Sequence, residues 1–440
     1  MSAFSTIIVT AIIAVSLIFA GSAYARRGPS EGTPIKFKDL ESIGNVLERA
    51  KGAGQTVHVV YVHGMRADEW NAARYFLEAL EESRYLEDLE RHVSHRQRLW
   101  EPADHPQSVI EYAGSPLIDP SEWATAWERS IPFVVRTTFQ SGSTTFKVVV
   151  DEVNYWPLLM GLRCRALVGP DSQLAGAGSE QAEICMRNVD IKSGDPYYPW
   201  LKPDEIKPPA LGKGAAANRW LKHTIINWGF ADAVISLGPM RHYLRMAMDL
   251  AAKRATDARA DERILIAESL GSFVAMDAAQ ERGGTRKLVR ESRHFYFLAN
   301  QFALLQMARV RGLPSSPEFV ESKLPNIETS ASVKRATPSV QEQTEDSAPS
   351  PLEVLKEAGM DAKGPAKLHG EAPAQVVAVS DPSDVLTFLI PEIEGIEVSN
   401  VQARFSGDPL NLLAHPLHAH RGGIDGPRRI WEHLLEKHPR

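Results

Sequence analysis

Ser269 lies in a short stretch whose residue types could form a catalytic turn. The chain reads "RILIAESLGSFVAMDAA" over residues 263–279. The apolar run "RILIA" predicts a buried strand and "GSFVAMDAA" a helix, so Ser269 would occupy the sharp turn between them. Such a turn strains the backbone at the serine and projects its hydroxyl above the edge of a sheet. There it could act as a nucleophile towards an acyl carbonyl.

The residues around Ser269 must be small for this turn to form. Ala267 and Gly271 stand two positions before and after the serine. The usual pattern, G-x-S-x-G, has a glycine where this chain has Ala267, and alanine still meets the size requirement. A serine that only caps the following helix is an equally open interpretation of the motif. Glu268 would either form a salt bridge or line the pocket.

A second stretch could stabilise the negative charge that develops during acyl transfer. His63, Gly64 and Met65 follow the strand-like "VVYV". An oxyanion hole needs two backbone N–H groups, and we predict Leu270 and Met65 as their sources. Gly64 would let the backbone approach closely. The alternative is an ordinary glycine turn at the end of a strand.

Acidic and basic partners for Ser269 occur later in the chain. Asp381 and Asp384 follow the predicted strand "QVVAVS", and His415, His418 and His420 precede the last helix. Histidines in this number also fit a metal site, but no cysteine or second ligand cluster accompanies them. We therefore predict neither a metal nor an organic cofactor.

The segments "VVYVHGM", "ILIAESLGS", "VVAVSDPSD" and "HAHRGG" occur in an order that resembles the α/β-hydrolase superfamily, specifically its lipase and esterase-like serine hydrolases. The resemblance covers residues 56–83 and 220–438. It implies a mostly parallel sheet flanked by helices, with the site at the carboxyl ends of the strands. It further implies Ser269 as nucleophile, an acid after it and then a histidine base. We select Asp384 over Asp381, and His420 over His418 because the loop at "RGG" follows it.

The expected function is therefore hydrolysis of carboxylic esters, of a small molecule or a lipid, by a Ser-His-Asp triad. Two alternatives remain open at this point. One is acyl transfer to an alcohol by the same triad. The other is a non-catalytic binding protein with the same fold.

The organisation of the chain predicts one α/β domain over residues 34–440. Residues 100–220 lack clear alternation of strands and helices, and we interpret them as an insertion beside the core. Its aromatic residues, Tyr155 and Trp156 among them, would belong to the core or line an acyl pocket. Residues 313–372 are poor in large apolar side chains, which predicts a flexible segment.

The ends and the charge of the chain limit its partners. With 49 Lys and Arg against 55 Asp and Glu, its 440 residues carry a net charge of −6, which gives a nucleic-acid partner little support.

Residues 5–25 are apolar and end in "AYA". This leader predicts export to the periplasm or medium with cleavage after Ala25, or alternatively a retained membrane anchor. Cys164 and Cys185 would form a disulfide or remain as two buried thiols.

Overall fold

The computed structural model describes residues 40–64, 72–101, 131–163, 231–238, 240–302, 349–358, 373–380, 388–402 and 427–436. The strands in this part of the chain are β1 (Thr56–Val62), β2 (Glu90–Val93), β3 (Gln97–Arg98), β4 (Phe133–Gln140), β5 (Lys147–Asn154), β6 (Glu262–Glu268), β7 (His294–Leu298), β8 (Ala374–Ser380) and β9 (Ile396–Gln402). The helices are α1 (Ile43–Ala53), α2 (Arg74–Glu81), α3 (Trp156–Arg163), α4 (Ala231–Leu237), α5 (Arg241–Asp257), α6 (Leu270–Ala279), α7 (Gly284–Glu291), α8 (Pro351–Lys356) and α9 (Pro427–Leu435).

The strands form one nine-stranded sheet. Its order is β2-β4-β5-β1-β6-β7-β8-β9, and β3 pairs with β4. The six strands from β5 to β9 in this order run parallel, whereas β4 is antiparallel to β2, β3 and β5. The predicted α/β class with a mostly parallel sheet is therefore confirmed.

Helices cover both faces of the sheet. Val59 and Tyr61 pack on the face covered by α1, α2 and α9, while Val60 and Val62 pack on the opposite face with α5 to α8. Successive side chains of a strand point to opposite faces, so a strand covered on both sides needs apolar residues at nearly every position. This explains the continuous run "TVHVVYV" of β1 and the similar runs of β6, β7 and β8.

The expected insertion over residues 100–220 is wrong for residues 133–154. They form the hairpin of β4 and β5, and β5 pairs with the central strand β1. The run "TFKVVVDEV" predicts a strand, but not one inside the main sheet, because the partners of its polar residues are distant in sequence. Asp151 is buried and accepts hydrogen bonds from His58 at 2.9 Å and from Arg136 Nε at 2.7 Å.

Part of the segment expected to be flexible is a folded helix. Residues 349–358 lie within 313–372, and α8 begins with a capping box formed by Ser350 and Glu353. Val354 and Leu355 are buried against the helices of the sheet's second face. Burial of these two apolar side chains offsets the entropy lost when the helix is ordered. The average composition of residues 313–372 gives no sign of this short apolar stretch. The rest of 313–372 lies outside the described residues.

Helix α6 is fixed by an ionic cluster at its far end. Asp277 is buried, and both Arg241 and Arg245 of α5 donate hydrogen bonds to its carboxylate over 2.6–2.8 Å. Burial by itself would raise the pKa of Asp277, but the two guanidinium groups hold it below the usual value. The carboxylate is therefore ionised at neutral pH and ties α6 to α5. The beginning of α6 carries the predicted site.

Within the described residues, no helix is long and apolar enough to cross a membrane. The leader, residues 1–25, falls outside those residues, as do Cys164 and Cys185.

Candidate functional site

Ser269 is the single turn residue between β6 and α6. Its backbone angles are φ +47° and ψ −120°, a conformation that is rare for any residue other than glycine. Among the described residues, only Ser269 and Ala299 combine a side chain with a positive φ. The Ser269 N–H donates to the Leu298 carbonyl at 2.7 Å, and its own carbonyl accepts from the Ser272 hydroxyl at 2.6 Å. The chain therefore has the strained strand-to-helix turn that the sequence predicted at this residue.

Close packing against the end of β1 explains the small residues around Ser269. A Cβ atom added to Gly271 would overlap the carbonyl oxygens of Val62 and His63. One added to Gly64 would lie 2.9 Å from Ser269 Cβ and 3.1 Å from the Glu268 carbonyl oxygen. Both contacts are with parts that cannot move away easily, since they belong to buried backbone or to the turn itself. The two glycines therefore bring the loop after β1 directly against the serine.

We expect Gly271→Ala to destabilise the protein and distort the turn, because the new methyl group would strike backbone oxygens. The expected loss is about 1–3 kcal/mol in the free energy of unfolding, measured by urea denaturation. The matched control is Gly52→Ala in α1, where an added Cβ has no atom within 4 Å. That change should stabilise the helix by up to about 1 kcal/mol. Equal effects at the two positions would contradict the close packing at Gly271.

The Ser269 hydroxyl has a direct partner in the loop after β7. Gln301 Nε2 donates to Ser269 Oγ at 3.0 Å, and both side chains are buried. The Gln301 backbone N–H donates to Ser272 Oγ at 2.9 Å. Ser272 thus joins the turn at Ser269 to this loop, because its hydroxyl accepts from Gln301 and donates to the Ser269 carbonyl. The three residues form one hydrogen-bonded unit at the carboxyl ends of β6 and β7.

His63 is buried beside Gly64. Its Nδ1 lies 2.7 Å from the Gly64 carbonyl oxygen, and its ring stacks on Tyr155 with 4.2 Å between centroids. The Tyr155 hydroxyl donates to the His63 carbonyl at 2.7 Å. Burial lowers the pKa of His63 to about 4, so the ring is neutral at pH 7 and Nδ1 is the donor to Gly64. His63 and Tyr155 therefore fix the backbone around Gly64. Tyr155 belongs to the core, one of the two roles left open for it.

A row of polar residues lies under the turn on the α2 and α9 face. Tyr61 of β1 pairs in register with Glu152 of β5 on one side and with Ile266 of β6 on the other. Glu268 lies two residues beyond Ile266 and points to the same face of the sheet. Burial raises the pKa of Glu268 to about 7, although a hydrogen bond from Tyr61 opposes that rise. Burial likewise raises the pKa of Glu152 to about 7, against a 2.7 Å hydrogen bond from the Ala72 N–H. Among the described residues, Glu268 therefore interacts with Tyr61 and not with a basic side chain.

The raised pKa of Glu152 predicts a dependence of stability on pH. The folded protein binds this proton more tightly than the unfolded chain, where the value is close to the ordinary 4.5. Its stability should therefore fall as the pH rises from about 4.5 to about 7, and change little from this group above that. Glu152→Gln removes the ionisable group, so the variant lacks this fall in stability. The free energy of unfolding of the variant minus that of the wild type should therefore be larger at pH 8 than at pH 5. The expected difference is of the order of 1–3 kcal/mol.

Urea unfolding at pH 5 and pH 8 measures this difference. Glu90→Gln serves as the control, because the Glu90 side chain is 84% exposed and its charge is already in water. A relative stability of Glu152→Gln that is the same at both pH values would contradict the raised pKa.

The structure describes Ser269 and Leu270 among the predicted site residues. Leu270 is the first residue of α6 and its side chain is buried. Met65, Asp381, Asp384, His415, His418 and His420 lie outside the described residues. β8 precedes the two aspartates in the chain and β9 precedes the three histidines. Both strands end on the same side of the sheet as Ser269, since β6 to β9 are parallel and Ser380 of β8 pairs in register with Gln402 of β9.

Gln301 is not among the residues predicted from the sequence, although the sequence carries a signal for it. The strand "HFYFL" is followed directly by Ala299, Asn300 and Gln301. Two amide side chains at the end of a buried strand that is parallel to β6 would lie at the same sheet edge as Ser269. The hydrogen bond between Gln301 and Ser269 could not be deduced, because it depends on the register and on the strained turn at Ala299.

Comparison with known proteins leaves the family open: no protein-family model, curated protein or solved structure matches the chain. In the part of the chain that is described, no group of three or more His, Cys, Asp or Glu side chains could hold a metal ion. The function is therefore inferred from the geometry around Ser269.

Proposed function

We propose that the chain is a serine hydrolase of the α/β-hydrolase superfamily that cleaves carboxylic esters. The observation that carries the proposal is the turn at Ser269. A serine with φ +47° stands between a buried strand and a helix, with the Gly64 backbone packed against it. Strain of this kind costs of the order of 1–3 kcal/mol and tends to persist at functional sites. A serine that only capped α6 would need no positive φ, and Ser269 makes no side-chain cap hydrogen bond to that helix.

The topology of the sheet supports the same location for a site. From β1 the chain runs towards β2 at one edge of the sheet, whereas from β6 it runs to β7 on the other side. In sheets of this kind, ligands bind where the direction of the connections reverses, outside the carboxyl ends of the strands. Here the reversal falls between β1 and β6, and Gly64 and Ser269 meet at the carboxyl ends of these two strands.

In the proposed reaction Ser269 Oγ attacks the carbonyl carbon of the ester while His420 takes its proton. His420 then protonates the departing alcohol, which leaves an acyl group on Ser269. Water, deprotonated by the same histidine, attacks this acyl-enzyme and releases the carboxylic acid. Asp384 would hold the imidazole in the tautomer that accepts the serine proton and would stabilise the imidazolium. No metal or organic cofactor takes part.

The oxyanion of the tetrahedral intermediate would be bound by the backbone N–H groups of Leu270 and Met65. The Leu270 N–H belongs to the first turn of α6, where backbone donors have no acceptor within the helix. It also lies at the positive end of the helix dipole. Each such donor contributes about 3 kcal/mol to lowering the barrier.

Labelling with a fluorophosphonate probe tests the proposal. The probe forms a covalent bond with an activated serine, so a hydrolase or an acyltransferase is labelled and a non-catalytic binding protein is not. Mass spectrometry of the labelled peptide should place the modification on Ser269. Absence of labelling, or labelling of another serine, would overturn the assignment. Supplying a primary alcohol as competing acceptor then separates the two enzymes, since a hydrolase yields mainly the free acid.

A further inference from the structure

Gln301 presents a buried polar atom close to the proposed nucleophile. Its side chain has no exposed surface, its Nε2 donates to Ser269 Oγ at 3.0 Å, and its Oε1 has no hydrogen-bond partner among the described residues. A buried acceptor without a partner is costly in a folded protein, and a bound ligand that donates to it removes that cost.

The orientation of this amide follows from the role proposed for Ser269. A serine hydroxyl has a single hydrogen, and in the proposed function that hydrogen goes to the histidine base. Ser269 Oγ must then accept, rather than donate, in its contact with Gln301. The amide nitrogen therefore faces the serine and the amide oxygen is the atom left over.

The loop that carries Gln301 is held rigidly. Ala299 adopts a φ of +51°, and its N–H donates to the Val379 carbonyl at 2.8 Å. Asn300 Nδ2 donates to the Phe388 carbonyl at 2.5 Å, and the Gln301 N–H donates to Ser272. With its backbone tied to β8 and α6, Gln301 has little freedom to turn its oxygen towards solvent. The acceptor stays beside the reacting atoms.

We propose that Gln301 selects ester substrates that carry a hydrogen-bond donor, a hydroxyl or an amide N–H, next to the scissile carbonyl. The oxygen and nitrogen of an amide share one carbon, and Nε2 lies 3.0 Å from Ser269 Oγ, so Oε1 is close to the atom that attacks the carbonyl carbon. A donor on the adjacent carbon of the substrate would bind this oxygen. A substrate with a methyl group there would leave the acceptor buried and unsatisfied, and a site of this kind discriminates strongly against such analogues.

Two p-nitrophenyl esters that differ only in this group test the proposal. The 2-hydroxypropanoate ester has a hydroxyl where the 2-methylpropanoate ester has a methyl group. We compare their kcat/KM values after dividing each by the rate of its hydrolysis by hydroxide, which corrects for intrinsic reactivity. The wild-type protein should prefer the hydroxy ester by about 10- to 100-fold.

Three variants separate recognition by Gln301 from a structural role. Gln301→Met removes the acceptor and should reduce the preference to about one. Gln301→Glu keeps an acceptor oxygen but loses the donor to Ser269, so the preference should persist while kcat falls. The matched control is Gln280→Met, the same substitution at a buried glutamine just past the far end of α6. It should keep the wild-type preference.

The outcomes are distinguishable from failure of the proposed function. If the wild type is labelled at Ser269 but shows no preference between the esters, this inference is overturned and the hydrolase assignment stands. The same holds if Gln301→Met retains the full preference, or if Gln280→Met loses it to the same degree. If Ser269 is not labelled at all, both proposals fail.

Discussion

Replacing Ser269 by alanine is expected to abolish fluorophosphonate labelling and to lower ester hydrolysis by at least about 10⁴-fold. The nucleophile supplies the bond that forms the acyl-enzyme, and no other residue at the turn can replace it. Hydrolysis of a short p-nitrophenyl ester at fixed pH measures the loss. Circular dichroism and urea unfolding check that the variant is folded. Full activity in Ser269→Ala would remove the basis of the hydrolase assignment.

A glycine at the same position tests whether the turn sacrifices stability for function. The backbone of Ser269 is strained for a residue with a Cβ, and glycine relieves that strain at an entropic cost of about 0.5–1 kcal/mol. We expect Ser269→Gly to be inactive and about 1 kcal/mol more stable than the wild type.

Ala299→Gly is the matched control for Ser269→Gly, because Ala299 is the other described residue with a side chain and a positive φ. It should also gain stability but retain labelling of Ser269. If Ser269→Gly is less stable while Ala299→Gly is more stable, the geometry at Ser269 is not strained in the way we infer.

Alanine substitutions should identify His420 and Asp384 as the other members of the triad. Loss of a true member lowers kcat by about 10⁴-fold in enzymes of this type, whereas a neighbouring residue costs far less. We therefore expect His420→Ala and Asp384→Ala to be folded and inactive. His415→Ala, His418→Ala and Asp381→Ala should keep most of the activity.

The direction of the strands explains why the candidates for the acid and the base of the triad come from these two segments. The segment with the two aspartates follows β8, and the segment with the three histidines follows β9. Both strands run parallel to β6, so their carboxyl ends lie on the same side of the sheet as Ser269. If Asp381→Ala or His418→Ala is the inactive variant instead, the Ser-His-Asp mechanism stands and only the assignment of its acid or base changes. If none of the five variants loses activity, a Ser-His-Asp mechanism is excluded.

The sequence by itself determined the local parts of this protein. The apolar runs over β1, β6, β7 and β8 predicted buried strands, because a strand covered on both faces cannot carry many polar side chains. The alternation of these strands with helices predicted the α/β class. At Ser269, the need for small residues at positions 267 and 271 is a local steric requirement, so the strained turn could also be predicted. Each of these features depends on residues close together in the chain.

Features that join distant parts of the chain were decided only by the tertiary structure. The place of β5 beside β1 depends on His58 and Arg136, which pair with the buried Asp151. The order of α8 depends on the contact of Val354 and Leu355 with the core. The partner of the Ser269 hydroxyl, Gln301, is 32 residues away. Which side chains meet across such separations depends on strand register and backbone strain, and these are set by the packing of the whole sheet rather than by any single segment.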